Sequence, residues 1–294
     1  MPAKIIDGKQ VANRIHAELT EKVAQFKAAH GYAPGLGAVL AGDDPASAQY
    51  VRMKRRACEK VGIESLAHVM TADSTQAEVE EAIANLNADP RIHGILVQLP
   101  LPPQVDEQRA LSLVSLDKDV DGFHPVNIGL LAMKGREPTF TPATPTGCMV
   151  LLEDVGTQIE GANAVVLGRS NIVGMPMAMM LIKANATVTV CHSRTKDIPG
   201  IVRQADIVIA AIGKPHYVKA DWLKPGAVVI DVGTNRIDAP DTEKGYRFVG
   251  DVDFDAAQDV AGAISKVPGG VGPMTIAMLL QNTVKAAYRS VETG

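Results

Sequence analysis

The sequence predicts an α/β fold, and three observations carry that reading. From about residue 163 onward, apolar runs that end in glycine alternate with helical segments: residues 164–167 before Gly168, 207–212 before Gly213, and 227–232 before Gly233. Such alternation argues for a doubly wound sheet. Earlier, Gly94-Ile95-Leu96-Val97-Gln98-Leu99 begins with an apolar run that shows no polar alternation, as in a strand buried on both faces of a parallel sheet. Finally, 294 residues suffice for two domains, each with its own core.

Composition narrows the function classes. The chain is 46% apolar with a net charge of −4, which suggests neither disorder nor a nucleic-acid-binding surface. Cys58, Cys148 and Cys191 are far apart and lack metal-ligand spacing, so they read as buried thiols of a reducing compartment. The seven histidines are scattered too, and no metal site is expected. No apolar leader follows Met1-Pro2-Ala3-Lys4, and no apolar run nears the ~18 residues of a membrane span. A cytoplasmic protein with no membrane or nucleic-acid partner is expected.

In the first half, Val11, Ile15, Leu19, Val23 and Phe26 form a helical stripe that ends at Gly31. Residues 36–40 read as a short buried strand. Asp44 before Pro45 is a cap and first-turn signal, and Gly62 a stop, so a helix is expected over about 45–61. Tyr50 and Lys54 then project from one face, a turn apart. A hydroxyl beside an ammonium can tune a proton-transferring lysine. A lysine flanked by Arg52, Arg55 and Arg56 can equally be a solvated charge, and spacing alone favours that. Another helix is expected over 76–86, with Val79, Ile83 and Leu86 apolar. Gln98 falls at the carboxyl end of the strand it follows, where ligands of parallel sheets sit. In the turn Asp117-Lys118-Asp119-Val120-Asp121-Gly122-Phe123-His124-Pro125, Asp121 either holds a ligand amidine or shapes an Asx turn, and the turn is the simpler reading.

In the second half, Thr144-Pro145 caps a helix through Val155. Ala164-Val165-Val166-Leu167-Gly168-Arg169-Ser170-Asn171-Ile172-Val173-Gly174-Met175-Pro176 is a strand and a polar turn ending in a proline suited to a first helical turn, and Met177 to Lys183 then reads as a helix. Such a turn can bring bare N–H groups and a helix N-terminus to a phosphate. It is an incomplete dinucleotide fingerprint, because Ser170 stands where a second glycine would be. The next strand, 187–191, leads into His192-Ser193-Arg194-Thr195. An NAD site would place a carboxylate there for the ribose hydroxyl; Ser193 and Arg194 suit a 2′-phosphate, so NADP is preferred. The loops at Gly213-Lys214-Pro215 and Gly233-Thr234 lie at strand ends where a nicotinamide would rest. Phe248-Val249-Gly250-Asp251 reads as a further short strand. Residues 265–275, rich in glycine and proline, are either a close approach to something or a hinge. The last helix, about 274–290, is expected to pack back on the first domain.

Together these segments resemble the bifunctional methylenetetrahydrofolate dehydrogenase/cyclohydrolase family (FolD type) over essentially the whole chain. The most specific pieces are the stretch from Asn85 and Asn87 to Val97-Gln98-Leu99-Pro100-Leu101, and Pro268-Gly269-Gly270-Val271-Gly272-Pro273-Met274-Thr275-Ile276. Ser47-Ala48-Gln49-Tyr50-Val51-Arg52-Met53-Lys54, Asp119-Val120-Asp121-Gly122-Phe123-His124-Pro125 and Gly168-Arg169-Ser170 add to the match. The resemblance implies a catalytic α/β domain over 1–143, completed by the helix 274–294, and a Rossmann-like doubly wound NADP domain over 144–273, with a cleft between them. It implies oxidation of 5,10-methylene-tetrahydrofolate by NADP⁺, then hydrolysis of the methenyl product to 10-formyl-tetrahydrofolate. Lys54 would be the acid/base, held and tuned by Tyr50 and Gln98. Asp121 would bind the pterin edge, with Val97, Leu99, Pro268 and Gly270 lining the folate slot. Gly168, Arg169, Ser170, Ser193, Arg194 and Thr234 would fall on the cofactor. A homodimer is also implied.

Two positions depart from the family pattern. Ala143 stands where many relatives have cysteine, and Lys266 replaces the proline usual before Val267-Pro268. The competing readings are a relative with only one of the two activities, another two-domain NADP dehydrogenase, and a non-catalytic dinucleotide sensor.

Overall fold

The structure, a computed structural model, describes residues 2–242 and 245–292. Its first elements are β1 (Lys4–Ile6), α1 (Gly8–His30), β2 (Gly35–Ala41), α2 (Pro45–Val61), β3 (Glu64–Met70), α3 (Gln76–Ala88), β4 (Gly94–Val97), α4 (Glu107–Ser112) and α5 (Pro125–Ala132). After them come α6 (Ala143–Asp154), β5 (Asn163–Leu167), α7 (Gly174–Lys183), β6 (Thr187–Cys191), α8 (Ile198–Val202), β7 (Ile207–Ala210) and β8 (Val228–Asp231). The last are β9 (Asn235–Asp238), β10 (Tyr246–Val249), α9 (Phe254–Ala257), β11 (Ala263–Ser265) and α10 (Val271–Glu292).

The chain forms two compact units, Met1–Ala12 with Thr144–Thr275, and Asn13–Ala143 with Ile276–Gly294. The sequence reading placed residues 1–143 together; the first twelve belong instead with the later segment. The reason is β1, which pairs in parallel with β11, Lys4 opposite Ala263 and Ile6 opposite Ser265. Three residues are too few to show a period in the sequence.

The first unit carries a six-stranded sheet in the order β1-β11-β8-β7-β5-β6, parallel throughout. From β5 the chain passes to β6 on one side and then to β7 on the other, so the order reverses between β5 and β7. Ligands of such sheets bind beyond the carboxyl ends at that reversal. Val165, Leu167, Val208, Ala210, Val229 and Ile264 form the core with Ile198 and Val202 of α8. The strand read at 248–251 is displaced: β10 ends at Val249 and forms an antiparallel hairpin with β9, outside this sheet.

The second unit holds a three-stranded parallel sheet, β3-β2-β4. Every residue of β2 is buried, whereas β3 is an edge strand with Val69 72% exposed. Thr75 and Glu78 close a reciprocal capping box at the start of α3, which lays Val79, Ile83 and Leu86 against Val39, Ile95 and Val97. Each such fully buried side chain contributes roughly 1.5–3 kcal/mol. The carboxyl end of α3 is closed by Lys118, whose ammonium donates to the carbonyls of Leu86, Asn87 and Asp89. The later part of α10 joins this unit. Asn282 donates to the Val120 carbonyl at 2.8 Å, and the Tyr288 hydroxyl to that of Lys22 at 3.0 Å.

Candidate active site and cofactor-binding loops

Asp44 starts α2 as its sequence position implies. Its Oδ2 accepts the Ser47 N–H at 2.8 Å and the Ser47 hydroxyl at 2.7 Å. The helix then sets Tyr50, Lys54 and Cys58 a turn apart on one face. Arg52, Arg55 and Arg56 are exposed, but Lys54 is only 5% exposed, so the solvated reading of this lysine fails. Its Nζ donates to Gln98 Oε1 at 3.1 Å and lies 4.8 Å from the centre of the half-buried Tyr50 ring. The Gln98 amide is held in turn, because its Nε2 donates to the Leu99 carbonyl at 2.8 Å.

Burial pushes the Lys54 ammonium below its ordinary range, against the opposing pull of Asp121. Burial likewise raises the Asp121 carboxyl, and Lys54 lowers it. An amine that sheds its proton more readily than ordinary lysine is suited to act as a base. The Cys58 thiol is pushed up to about 12 by burial and stays protonated.

Sequence reasoning gave the turn-shaping part to Asp121; the structure gives it to Asp119. This carboxylate is 3% exposed and accepts from the backbone N–H groups of Phe123 and His124 and from Asn127 Nδ2. Asn127, fully buried, also accepts from the N–H groups of Thr139 and Phe140. Asp121 is therefore spared the turn-shaping bonds. Three carboxylates within five residues were visible in the sequence, but not which one is inside.

Around Gln98, Val97 is buried and Leu99 half-buried. The structure brings Lys54, Tyr50, Gln98 and Asp121 together in the second unit, while Pro268 and Gly270 belong to the first. There the glycine segment is packed against the start of α1: Lys9 N–H donates to the Gly269 carbonyl at 3.0 Å. A Cβ on Gly8 would fall 1.8 Å from the Gly270 oxygen. Lys266 faces Asp7 at 3.8 Å in an exposed pair, which adds little stability. Ala143 is fully buried.

In the first unit, Gly168 follows β5 with φ +121°, and a Cβ there would stand 2.2 Å from the Ala211 carbonyl oxygen. A side chain at Gly174 would meet the Gly168 oxygen at 2.3 Å. These are the tight turn and the close helix approach of a dinucleotide fingerprint. Ser170 has its own task, since its hydroxyl oxygen accepts the N–H groups of Val173 and Gly174 at 3.2 and 3.3 Å at the start of α7. The helix begins at Gly174, slightly earlier than the sequence reading, and Pro176 sits in its first turn. Arg169, Ser193, Arg194 and Thr234 are all exposed at the carboxyl ends of strands. The turn 192–195 is closed by Thr195 N–H to the His192 carbonyl and contains no carboxylate. Bare backbone, a ten-residue helix opening at it and an exposed guanidinium fit a dinucleotide with a 2′-phosphate.

A doubly wound sheet with this turn at its reversal point, and a separate α/β unit with a buried lysine on a half-buried glutamine, define a two-domain, dinucleotide-dependent dehydrogenase. The chain belongs to the tetrahydrofolate dehydrogenase/cyclohydrolase family: residues 6–121 match its catalytic domain and residues 142–291 its NAD(P)-binding domain. It is 56% identical to the bifunctional protein FolD of Moorella thermoacetica, covering 98% of this chain and 100% of that protein. It is 55% identical to the bifunctional protein FolD 2 of Arabidopsis thaliana, covering 98% and 96%. Among solved structures, the Trypanosoma brucei methylenetetrahydrofolate dehydrogenase-cyclohydrolase, complexed with NADP and an inhibitor, superposes with a TM-score of 0.96 at 45% identity, covering 99% of each chain.

Proposed function

We propose that this chain carries out two successive reactions on a one-carbon folate, with Lys54 as the proton-transferring group of the second. The first oxidises 5,10-methylene-tetrahydrofolate to the methenyl cation, and the second hydrolyses that cation to 10-formyl-tetrahydrofolate. NADP is the cofactor, and when bound NADP⁺ supplies the hydride acceptor. The observation that carries the assignment of Lys54 is its burial at 5% exposure with Nζ on Gln98. In hydrolysis the neutral amine takes a proton from the water that adds to the methenyl carbon. Gln98 fixes where that nitrogen stands, and the Tyr50 ring face favours the ammonium that results. Asp121 holds the pterin edge, and Val97 and Leu99 supply apolar contact.

Both activities measured on one purified sample test the reading. NADP-dependent appearance of methenyl-tetrahydrofolate absorbance, followed by hydrolysis of added methenyl-tetrahydrofolate, is expected. One activity alone reduces the protein to a monofunctional relative, and neither refutes the proposal.

Gly168, Arg169, Ser170 and Thr234 approach the dinucleotide, and Ser193 and Arg194 take its 2′-phosphate. An R194E variant is expected to raise the Michaelis constant for NADP about tenfold or more, the scale of one charge-assisted hydrogen bond lost, and to change that for NAD little. Equal effects on both would discredit the assignment.

A homodimer is proposed from the family resemblance, supported by β3, whose outer edge pairs with no strand among the described residues and which exposes Leu66 and Val69. A light-scattering mass near twice the 31.1 kDa chain is expected. Three free, buried thiols accord with the reducing compartment proposed for it. Among the described residues, no helix is long and apolar enough to cross a membrane.

A further inference from the structure

Beneath the ends of β7 and β8 lie two buried carboxylates outside the lysine site and the Gly168 turn. Asp251 is fully buried and Asp231 is 3% exposed. Asp251 Oδ2 accepts the N–H groups of Ile212 at 2.6 Å and Gly213 at 2.8 Å. Its Oδ1 accepts the Lys214 N–H at 2.9 Å and Asn235 Nδ2 at 2.8 Å. Asp231 accepts from the N–H groups of Gly233, Asp251 and Val252 at 2.9 to 3.0 Å, so it holds the backbone that carries Asp251. The neighbouring glycines are shaped around the pair. A Cβ on Gly233 would lie 2.3 Å from Asp251 Oδ1, and one on Gly250 would lie 1.8 Å from Asp231 Oδ2.

Two buried carboxylates are a poor way to stabilise a core, since apolar groups of like volume do as well or better. What they supply is direction. Three consecutive amides drawn onto one carboxylate fix the backbone path where the chain leaves β7. That path begins at Ala211, the residue against which the Gly168 turn is packed. Asp251 thus sets the loop 212–214 and borders the turn 233–234, both at the carboxyl ends of strands beside the reversal point.

We propose that Asp251, itself set by Asp231, is a positioning residue for the dinucleotide. It acts through the loops after β7 and β8 rather than by touching the cofactor. The proposal rests on the NADP-dependent reading above.

The test compares the full-length protein with D251N. The carboxamide offers one acceptor atom where the carboxylate offers two, so its NH₂ must face either the Ile212 and Gly213 amides or the Lys214 amide. Such a donor-to-donor conflict is costly in a buried site. NADP affinity by calorimetry, the Michaelis constant for NADP, hydrolysis of methenyl-tetrahydrofolate without nucleotide, and the thermal midpoint are measured together. Expected are NADP binding and dehydrogenase kcat/KM about tenfold or more weaker, with hydrolysis within about twofold of the parent. Unchanged NADP affinity overturns the proposal. So does an equal fall in NADP affinity and hydrolysis, which would make Asp251 merely structural. If D251N does not fold, N235A, which removes one donor from Asp251, is read in the same way with a smaller loss expected. A parent protein that oxidises no folate would refute the underlying reading, while the calorimetric arm would still decide on Asp251.

Discussion

A K54M variant should lose cyclohydrolase turnover by roughly 10²- to 10⁴-fold, the usual contribution of a positioned acid or base, while still binding folate. Methionine keeps an unbranched stem in a site only 5% exposed, so the cavity stays filled. What goes is the amine that donates to Gln98 Oε1. Removing it leaves one amide oxygen without its donor and Asp121 without the positive charge that holds its carboxyl down. Asp121 should then protonate more readily, which would weaken but not abolish the hold on a pterin edge proposed for it. Folate affinity is therefore expected to fall far less than the rate, a separation that equilibrium binding and initial rates on one preparation resolve. Normal hydrolysis by K54M would remove Lys54 from the chemistry.

An N127A variant should be destabilised by roughly 3–5 kcal/mol, as when one partner of a buried charged group is removed. The substitution deletes the 2.7 Å bond to Asp119 and the acceptor for the amides of Thr139 and Phe140. Its loss should also depend on pH. Burial raises the Asp119 carboxyl from its ordinary 3.8 to about 6, and the Asn127 donor restrains that rise. Between those values the folded state binds more protons than the unfolded, so the contribution of Asp119 to stability falls as pH increases. Without Asn127 its folded value climbs further and the fall extends to higher pH. The stability gap between parent and variant should thus be wider at pH 8 than at pH 5. Urea unfolding at the two pH values reads it directly; a gap independent of pH would mean that Asp119 does not lean on Asn127.

The parts of this protein legible in its sequence are those in which period and punctuation agree. Asp44-Pro45 and Gly62 bound α2, and its residues 50 and 54 fell on one face as spacing requires. The apolar run before Gln98 and the glycine at 168 announced a buried strand and a tight turn. What stayed hidden depends on partners distant in the chain. β1 is a strand only because β11 lies beside it, and β3 alternates too weakly to stand out. The Lys54 environment could not be read from α2 either, because three exposed arginines surround it in sequence and Gln98 meets it from 44 residues away. Asp231 lies inside an apolar run two residues before Gly233, and Asp251 directly follows Gly250, so both look like strand punctuation. Their seven donors appear only once the loops are folded around them. The family resemblance pointed to Lys54 and Asp121 as candidate site residues but said nothing of the buried carboxylates that hold the loops after β7 and β8.

The central claim is that burial makes Lys54 a weaker proton holder than a free lysine, so that its amine serves as a base. Its direct measurement is the titration of Lys54 Nζ by ¹⁵N NMR in the lysine-labelled protein, with K54M to assign the resonance. The expected midpoint lies below the ordinary 10.5, and cyclohydrolase kcat/KM should rise with pH through the same midpoint. A midpoint at or above the ordinary value would contradict it.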